Sequence, residues 1–126
     1  EDCTGNYFIR KFTLSNEIGE AFAKADIVVS RSGAHTIYEL ATLKKPCLLI
    51  PISWVSHNEQ YKNALVLKDA GLAEIIQEND LTIESFLNVL NKMSKNLDSY
   101  KEANQIDYIK NDAAELIVNE ILKFRN

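Results

Sequence analysis

The run Ser30-Arg31-Ser32-Gly33-Ala34-His35-Thr36, followed by Glu39, gathers residue types that can hold a phosphate and a pair of hydroxyls. It lies where an apolar, β-branched strand pattern gives way to a helical one. Such a turn presents unpaired main-chain N–H groups at the positive end of a helix dipole, which favours an anion. Glu39, further along the first turns, can accept hydrogen bonds from two vicinal hydroxyls, as a ribose presents. Phosphate at the turn and ribose at the carboxylate describe a nucleotide site. Two plainer explanations compete. Glycine serves many βα loops for its permissive backbone alone, and a carboxylate near a helix N-terminus is favoured by the dipole without any ligand.

The elements that must position these residues alternate strand and helix. Residues 7–12 read as a short strand, and 16–24 as a helix with Ile18, Ala21, Phe22 and Ala25 on one face. Residues 26–30, a continuous β-branched run, and 47–50, fully apolar, carry the signature of strands covered on both faces. Between them, 36–43 is a helix with Ile37, Leu40 and Ala41 inward, stopped before Lys44-Lys45-Pro46 by the proline. Residues 59–70 form a helix capped by Gly71, and 73–76 a short edge strand. Two more helices follow, at 83–95 and about 112–124. Their stripes (Phe86, Leu87, Leu90 and Met93, then Leu116, Ile117, Ile121 and Phe124) are expected in the core. This alternation predicts an α/β fold with a parallel sheet flanked by helices. Ligands of such sheets bind beyond the carboxyl ends of the strands. The polar, irregular loops 14–17, 31–36 and 52–60 lie there.

Composition narrows the function. At 126 residues and 46% hydrophobic, the chain suits one globular domain. A net charge of −4 argues against a nucleic-acid partner, since no basic stripe exists to neutralise phosphates. Arg10-Lys11 and Lys44-Lys45 are read as solvated surface. No apolar run approaches the roughly 20 residues needed to span a bilayer, and no secretory leader pattern is seen. Cys3 and Cys47 make neither a disulfide framework nor a metal-ligand pattern, and Cys47 reads as a small buried hydrophobe. With two histidines far apart, no structural zinc site is expected, and a cytoplasmic location fits.

A series of spaced motifs runs from Ala25-Asp26 through Arg31-Ser-Gly-Ala-x-Thr36-x-x-Glu39-Leu to Lys45-Pro46-x-Leu-Leu-Ile-Pro51, then Gln60-x-x-Asn63-Ala64 and Ala70-Gly71. In this order the motifs resemble the MurG family. These bacterial transferases move N-acetylglucosamine (GlcNAc) from UDP-GlcNAc to the undecaprenyl-linked muramyl-pentapeptide, making lipid II for peptidoglycan. The resemblance implies a Rossmann-like, three-layer α/β/α portion of the C-terminal, donor-binding domain of a GT-B enzyme. By position, the backbone at Leu14 and Ser15 would meet the uracil. Ser32, Gly33, Ala34, His35 and Thr36 would hold the diphosphate, and Glu39 the ribose. Glu59 and Gln60 would meet the GlcNAc ring, while Asn63 is given a structural role. No catalytic residue is assigned in this chain, no cofactor or essential metal is expected, and the full enzyme would work at the inner face of the plasma membrane.

The family's Gly-Gly-Ser-x-Gly loop is not found, nor is its N-terminal acceptor domain with the proposed base. The chain is therefore expected to be the second part of the donor domain, inactive by itself. In a 3-2-1-4-5-6 sheet it would supply strands 3 to 6, leaving residues 7–12 without a partner. That segment is expected to collapse beside 26–30 or to pair across a dimer, so that the chain self-associates through an apolar edge. Arg31 is expected to pair with a carboxylate or a strand end. His35 and His57 read as solvated loop residues, and Trp54 as either a cleft lip or a core cap. Two alternatives stay open: a GT-B transferase using another UDP- or dTDP-sugar, and a non-catalytic nucleotide- or partner-binding module.

Overall fold

Three short strands organise this chain, and of these only the middle one is buried at every residue; Val29 on the outer strand is 42% exposed, against the two-sided cover expected at 26–30. The computed structural model describes residues 5, 7–54, 56–102 and 112–124. Strands β1 (Val28–Ser30), β2 (Cys47–Leu49) and β3 (Ala73–Ile75) form one sheet in the order β1-β2-β3. Both pairings are parallel, with Val28 opposite Cys47 and Cys47 opposite Ala73. Helix α1 (Ser15–Lys24) precedes the sheet, and α2 (Ala34–Thr42) and α3 (Glu59–Asp69) make the crossovers. Helices α4 (Ile83–Lys95), α5 (Leu97–Lys101) and α6 (Ala113–Lys123) follow it.

Side chains alternate across the strands and so build two cores. On one face Val28, Cys47, Leu49 and Ala73 pack with Ile37, Leu40 and Ala41 of α2, Ala64 and Leu67 of α3, and Phe22 of α1. On the other, Leu48 packs with Ile76, Met93 and Tyr100, joined by Phe86, Val89 and Leu90 of α4. The result is the expected three-layer α/β/α arrangement. Burial pushes the Cys47 thiol up to about 12, so this cysteine is an inert core residue.

Local chemistry ends each helix where the packing requires. Lys45 Nζ donates to the Ala23 and Ala25 carbonyls at 3.3 and 2.8 Å, closing the end of α1. Gly71 takes φ 80, the left-handed conformation that suits glycine, and its N–H meets the Lys68 carbonyl at 2.9 Å. Thr82 and Ser85 cap the start of α4 reciprocally, at 3.0 and 2.9 Å.

Three further expectations fail. Residues 7–12 form no strand, and Tyr7, Phe8, Ile9 and Phe12 are 77–85% exposed. Among the described residues the sheet ends at β1, so this segment neither collapses beside 26–30 nor finds a ladder there. Leu87 is half exposed because α4 turns Phe86, Val89, Leu90 and Met93 to the sheet, which leaves Leu87 on the flank. Helix α6 buries none of its residues, and Leu116, Ile117, Ile121 and Phe124 stay exposed.

Glu74 fastens the second layer. From β3 it accepts Lys92 Nζ of α4 at 2.6 Å and the Tyr100 hydroxyl of α5 at 2.7 Å. Burial and the Glu74 bond push the Tyr100 phenol up to about 12. Burial also pushes the Glu74 carboxyl up, but the Lys92 and Tyr100 bonds outweigh it and hold the group below its ordinary range. A carboxyl lowered in the folded state adds stability above its unfolded pKa, and that contribution is lost as pH falls through the folded value. Glu74→Gln is therefore expected to be less stable than the parent at pH 7. In urea titrations the gap should narrow as pH drops below about 4, the ordinary glutamate range. A gap unchanged between neutral and acid pH would show that the Glu74 charge contributes nothing.

Candidate functional site

At the carboxyl ends of the three strands the connecting loops are laced together by hydrogen bonds. Ser32, just beyond β1, is fully buried, and its hydroxyl donates to the Gln60 carbonyl at 2.7 Å. The Ser32 carbonyl in turn accepts Asn63 Nδ2 at 3.2 Å. Gln60 and Asn63 both belong to the first turns of α3, so the turn after β1 and the start of α3 hold each other. Asn63 has the structural role assigned to it, bonding a loop main chain across the fold.

The start of α2 follows this lock, with Ala34 and His35 exposed. Gly33 is its N-cap, no side chain caps it, and the first intrahelical bond runs from the Ile37 N–H to the Gly33 carbonyl at 3.0 Å. The N–H groups of Ala34, His35 and Thr36 therefore have no acceptor within the helix. Gly33 has φ −64, which any residue adopts, and a Cβ built there meets no described atom within 4 Å. Neither backbone conformation nor internal packing explains glycine at this position. Thr36 is half buried, and Glu39 lies exposed three residues on, on the same side of the helix.

Gln60 serves two loops. Besides its carbonyl contact with Ser32, its Oε1 accepts the Ile52 N–H at 3.1 Å. The orientation of the amide follows from that bond, which leaves Nε2 to serve as a donor. Glu59 beside it is exposed. The approach to α3 passes through two left-handed residues, His57 (φ 55) and Asn58 (φ 57).

Arg31 pairs with both a strand end and a carboxylate, as expected. Its Nη1 donates to the Ile50 carbonyl at 3.1 Å and its Nη2 to Glu78 Oε1 at 2.8 Å. Glu78, which opens the 3-10 turn Glu78–Asp80 after β3, takes the Ser53 hydroxyl on its other oxygen at 3.1 Å. The Arg31 and Ser53 bonds hold the Glu78 carboxyl below its ordinary range. Sequence reasoning missed Glu78 and Ser53. Neither falls in a motif, and only the fold brings them to Arg31.

The remaining candidates divide. The structure bonds Ser32 to Gln60, has Gly33, Ala34, His35 and Thr36 follow directly at the start of α2, and sets Glu39 on the same helix. Leu14 is the N-cap of α1: its N–H donates to Glu17 Oε2 at 3.1 Å and its carbonyl accepts the Glu17 and Ile18 N–H groups. Both its main-chain groups are thus engaged, which leaves the Ser15 N–H, at the first helical position, as the donor of that pair. Trp54 is 80% exposed and caps no core.

The profile of the glycosyltransferase family 28 C-terminal domain matches residues 4–119, and the chain belongs to that family. Its curated relatives include UDP-N-acetylglucosamine--N-acetylmuramyl-(pentapeptide) pyrophosphoryl-undecaprenol N-acetylglucosamine transferases. The one from Geobacillus kaustophilus is 43% identical over 90 residues, 71% of this chain and 25% of that protein. The one from Prochlorococcus marinus (strain MIT 9215) is 36% identical over 129 residues, 98% of this chain and 35% of that protein. The crystal structure of Acinetobacter baumannii MurG superposes with a TM-score of 0.77 at 24% identity, covering 89% of this chain and 33% of that one. The fold is therefore shared with MurG. The chain spans a quarter to about a third of the length of the relatives it matches.

The lock at Ser32 has a measurable weight. Ser32→Ala removes one donor to the Gln60 carbonyl and is expected to cost about 1 kcal/mol of unfolding free energy. Asn63→Ala leaves the Ser32 carbonyl short of a partner inside the fold and should cost about 1–3 kcal/mol. Chemical denaturation of both variants checks this, and two unaltered midpoints would mean that the loops are held by packing alone.

Proposed function

We propose that this chain binds UDP-GlcNAc as the donor portion of a transferase that passes GlcNAc to a lipid-linked muramyl-pentapeptide, the reaction named for its relatives. The observation that carries this reading is Gly33: a glycine with open space where a Cβ would stand, at a helix start that no side chain caps. A diphosphate approaching the N–H groups of that helix start would need the space that a Cβ would fill. In this reading Ser32 to Thr36 hold the diphosphate, Glu39 the ribose hydroxyls, the Ser15 main chain beside Leu14 the uracil, and Glu59 and Gln60 the sugar. The Gln60 amide, its oxygen already engaged by Ile52, meets the sugar as a donor.

The chemistry is a single inverting displacement at the anomeric carbon. Charge builds on the UDP leaving group as the glycosidic bond breaks, and the start of α2 stabilises it with fixed N–H dipoles. We assign that electrostatic work to the helix rather than to a metal, and the base that deprotonates the acceptor hydroxyl to residues other than those of this chain. A lipid-linked acceptor places the reaction at the cytoplasmic membrane face. No helix among the described residues is long and apolar enough to cross a membrane, so contact there would be peripheral. Among the described residues no strand pairs with the outer edge of β1, which supports self-association as part of the same reading. Equilibrium sedimentation over a range of concentrations tests it, and a strict monomer throughout would remove it.

Calorimetry with UDP tests the site. The parent chain is expected to bind UDP, with EDTA making no difference. Gly33→Ala should keep a cooperative unfolding transition yet weaken UDP binding about tenfold, or about 1.4 kcal/mol. Glu39→Ala should cost about 1.5–3 kcal/mol of UDP affinity without loss of fold. Unchanged titrations in both variants would return Gly33 and Glu39 to their plainer roles in the turn and the helix.

A further inference from the structure

The loop after β2 is held in place from two sides by bonds that are far apart in sequence. On the helix side, the Ile52 N–H is fixed by Gln60 Oε1 at 3.1 Å. On the β3 side, Ser53 is fixed by Glu78, whose Oε2 accepts the Ser53 hydroxyl at 3.1 Å and its N–H at 3.5 Å. The same carboxylate is anchored by Arg31, and Arg31 also takes the Ile50 carbonyl. Residues 50, 52 and 53 are thus each tied to a different element. Behind Ser53 and Glu78 lies a polar cleft of about 260 Å³, bordered by Pro51, Asn58, Tyr61, Gln77 and Asn79. Pro51 is buried at the start of the loop, and beyond it Ser53 is exposed, so the hydrogen bonds of Ser53 fix its position. The loop also carries two consecutive left-handed residues, His57 and Asn58, a backbone state that the surroundings must maintain.

These constraints converge on one group. The direction of the Gln60 donor follows from its bond to Ile52, and Ile52 is adjacent to the residue that Glu78 holds. We propose that Glu78 is a positioning residue for the sugar end of the ligand: through Ser53 and Ile52 it sets the Gln60 amide, and it so fixes selectivity for a nucleotide sugar over the bare nucleotide. The inference rests on the UDP-GlcNAc reading above. Glu78 needs no contact with the ligand. Glu78 also holds Arg31 beside the diphosphate turn, but that turn has its own anchors in the bonds of Ser32 with Gln60 and Asn63.

The ratio of UDP-GlcNAc to UDP affinity is the readout, because a general loss of structure would lower both. Calorimetry on the full chain compares the parent with Glu78→Gln, Glu78→Ala and Ser53→Ala, each checked by thermal melting. Glu78→Gln is nearly isosteric and keeps an acceptor, so a folded variant is available even if Glu78→Ala is damaged. The expected result is a five- to tenfold weakening for UDP-GlcNAc in both Glu78 variants, of roughly the size of one hydrogen bond, with UDP changed less than about twofold. Ser53→Ala should move the ratio in the same direction. Gln60→Glu keeps the acceptor for Ile52 and removes the donor, and since its added charge bears on UDP and UDP-GlcNAc alike, the ratio of the two is again what is read. Adding Glu78→Ala to it should therefore weaken UDP-GlcNAc no further, a non-additivity that reports coupling through Gln60. Equal losses for both ligands, an unaltered ratio or additive effects would overturn the proposal while leaving the nucleotide site intact. A parent chain that binds neither ligand would overturn the nucleotide reading itself, and this inference with it.

Discussion

A hydroxyl with no access to water must find an acceptor inside the protein, and at Ser32 that acceptor is the main-chain carbonyl of Gln60. An unmet donor at this depth costs about 1–3 kcal/mol, a large share of the stability of a small domain. The turn after β1 and the first turn of α3 are consequently not free to choose their separation. Asn63 repeats the constraint from the next turn of α3. Once these two contacts are made, the start of α2 is set, the path from β2 into α3 is set, and the Gln60 amide arrives beside the turn.

Short strands make such lacing necessary. Each strand has three residues, so the ladders extend little beyond the buried layer. Below, the two apolar clusters hold α2 and α3 to one face and α4 to the other. Above, at the carboxyl ends, there is little apolar surface to bury, and position is conferred by directional bonds from Arg31, Ser32, Gln60, Asn63 and Glu78. Apolar packing supplies the platform, and polar contacts supply the geometry. The division suits a face that must bind a charged, hydroxyl-rich molecule.

Much of this was legible in the residues. The run at 47–50 carries a two-sided apolar pattern and β2 is buried throughout, whereas the strand within 26–30 lies at the sheet's edge and leaves Val29 exposed; Ile37, Leu40 and Ala41 are spaced for a single helix face. Gly71 announced its left-handed cap. The turn at Ser32 to Thr36 was visible because strand, glycine, hydroxyls and helix stand in one stretch. Residues 7–12 misled because a short apolar run looks the same whether or not it has a partner strand. The stripe on α6 misled for a similar reason: a moment shows that a face wants cover, not what covers it. Glu78 was illegible since its meaning lies in contacts with Arg31 and Ser53, which the chain order keeps far apart. Gly33 was legible as a turn glycine, but only the coordinates show that the turn itself does not require one.

The sheet's strands lie side by side in the order in which the chain makes them. Each ladder therefore closes over a single crossover helix, and no strand must be inserted between two already joined. Loop-closure entropy rises only with the logarithm of the enclosed length, so both ladders form at near the minimum entropic cost that parallel pairing allows. For a chain delivered from its N-terminus, β1, α2 and β2 are all present before β3 exists. They already include most of the first core, with Val28, Ile37, Leu40, Ala41, Cys47 and Leu49. The lock at Ser32, by contrast, has to wait for α3. Assembly of the platform and assembly of the binding face are thus separable events, governed by different stretches of the same chain.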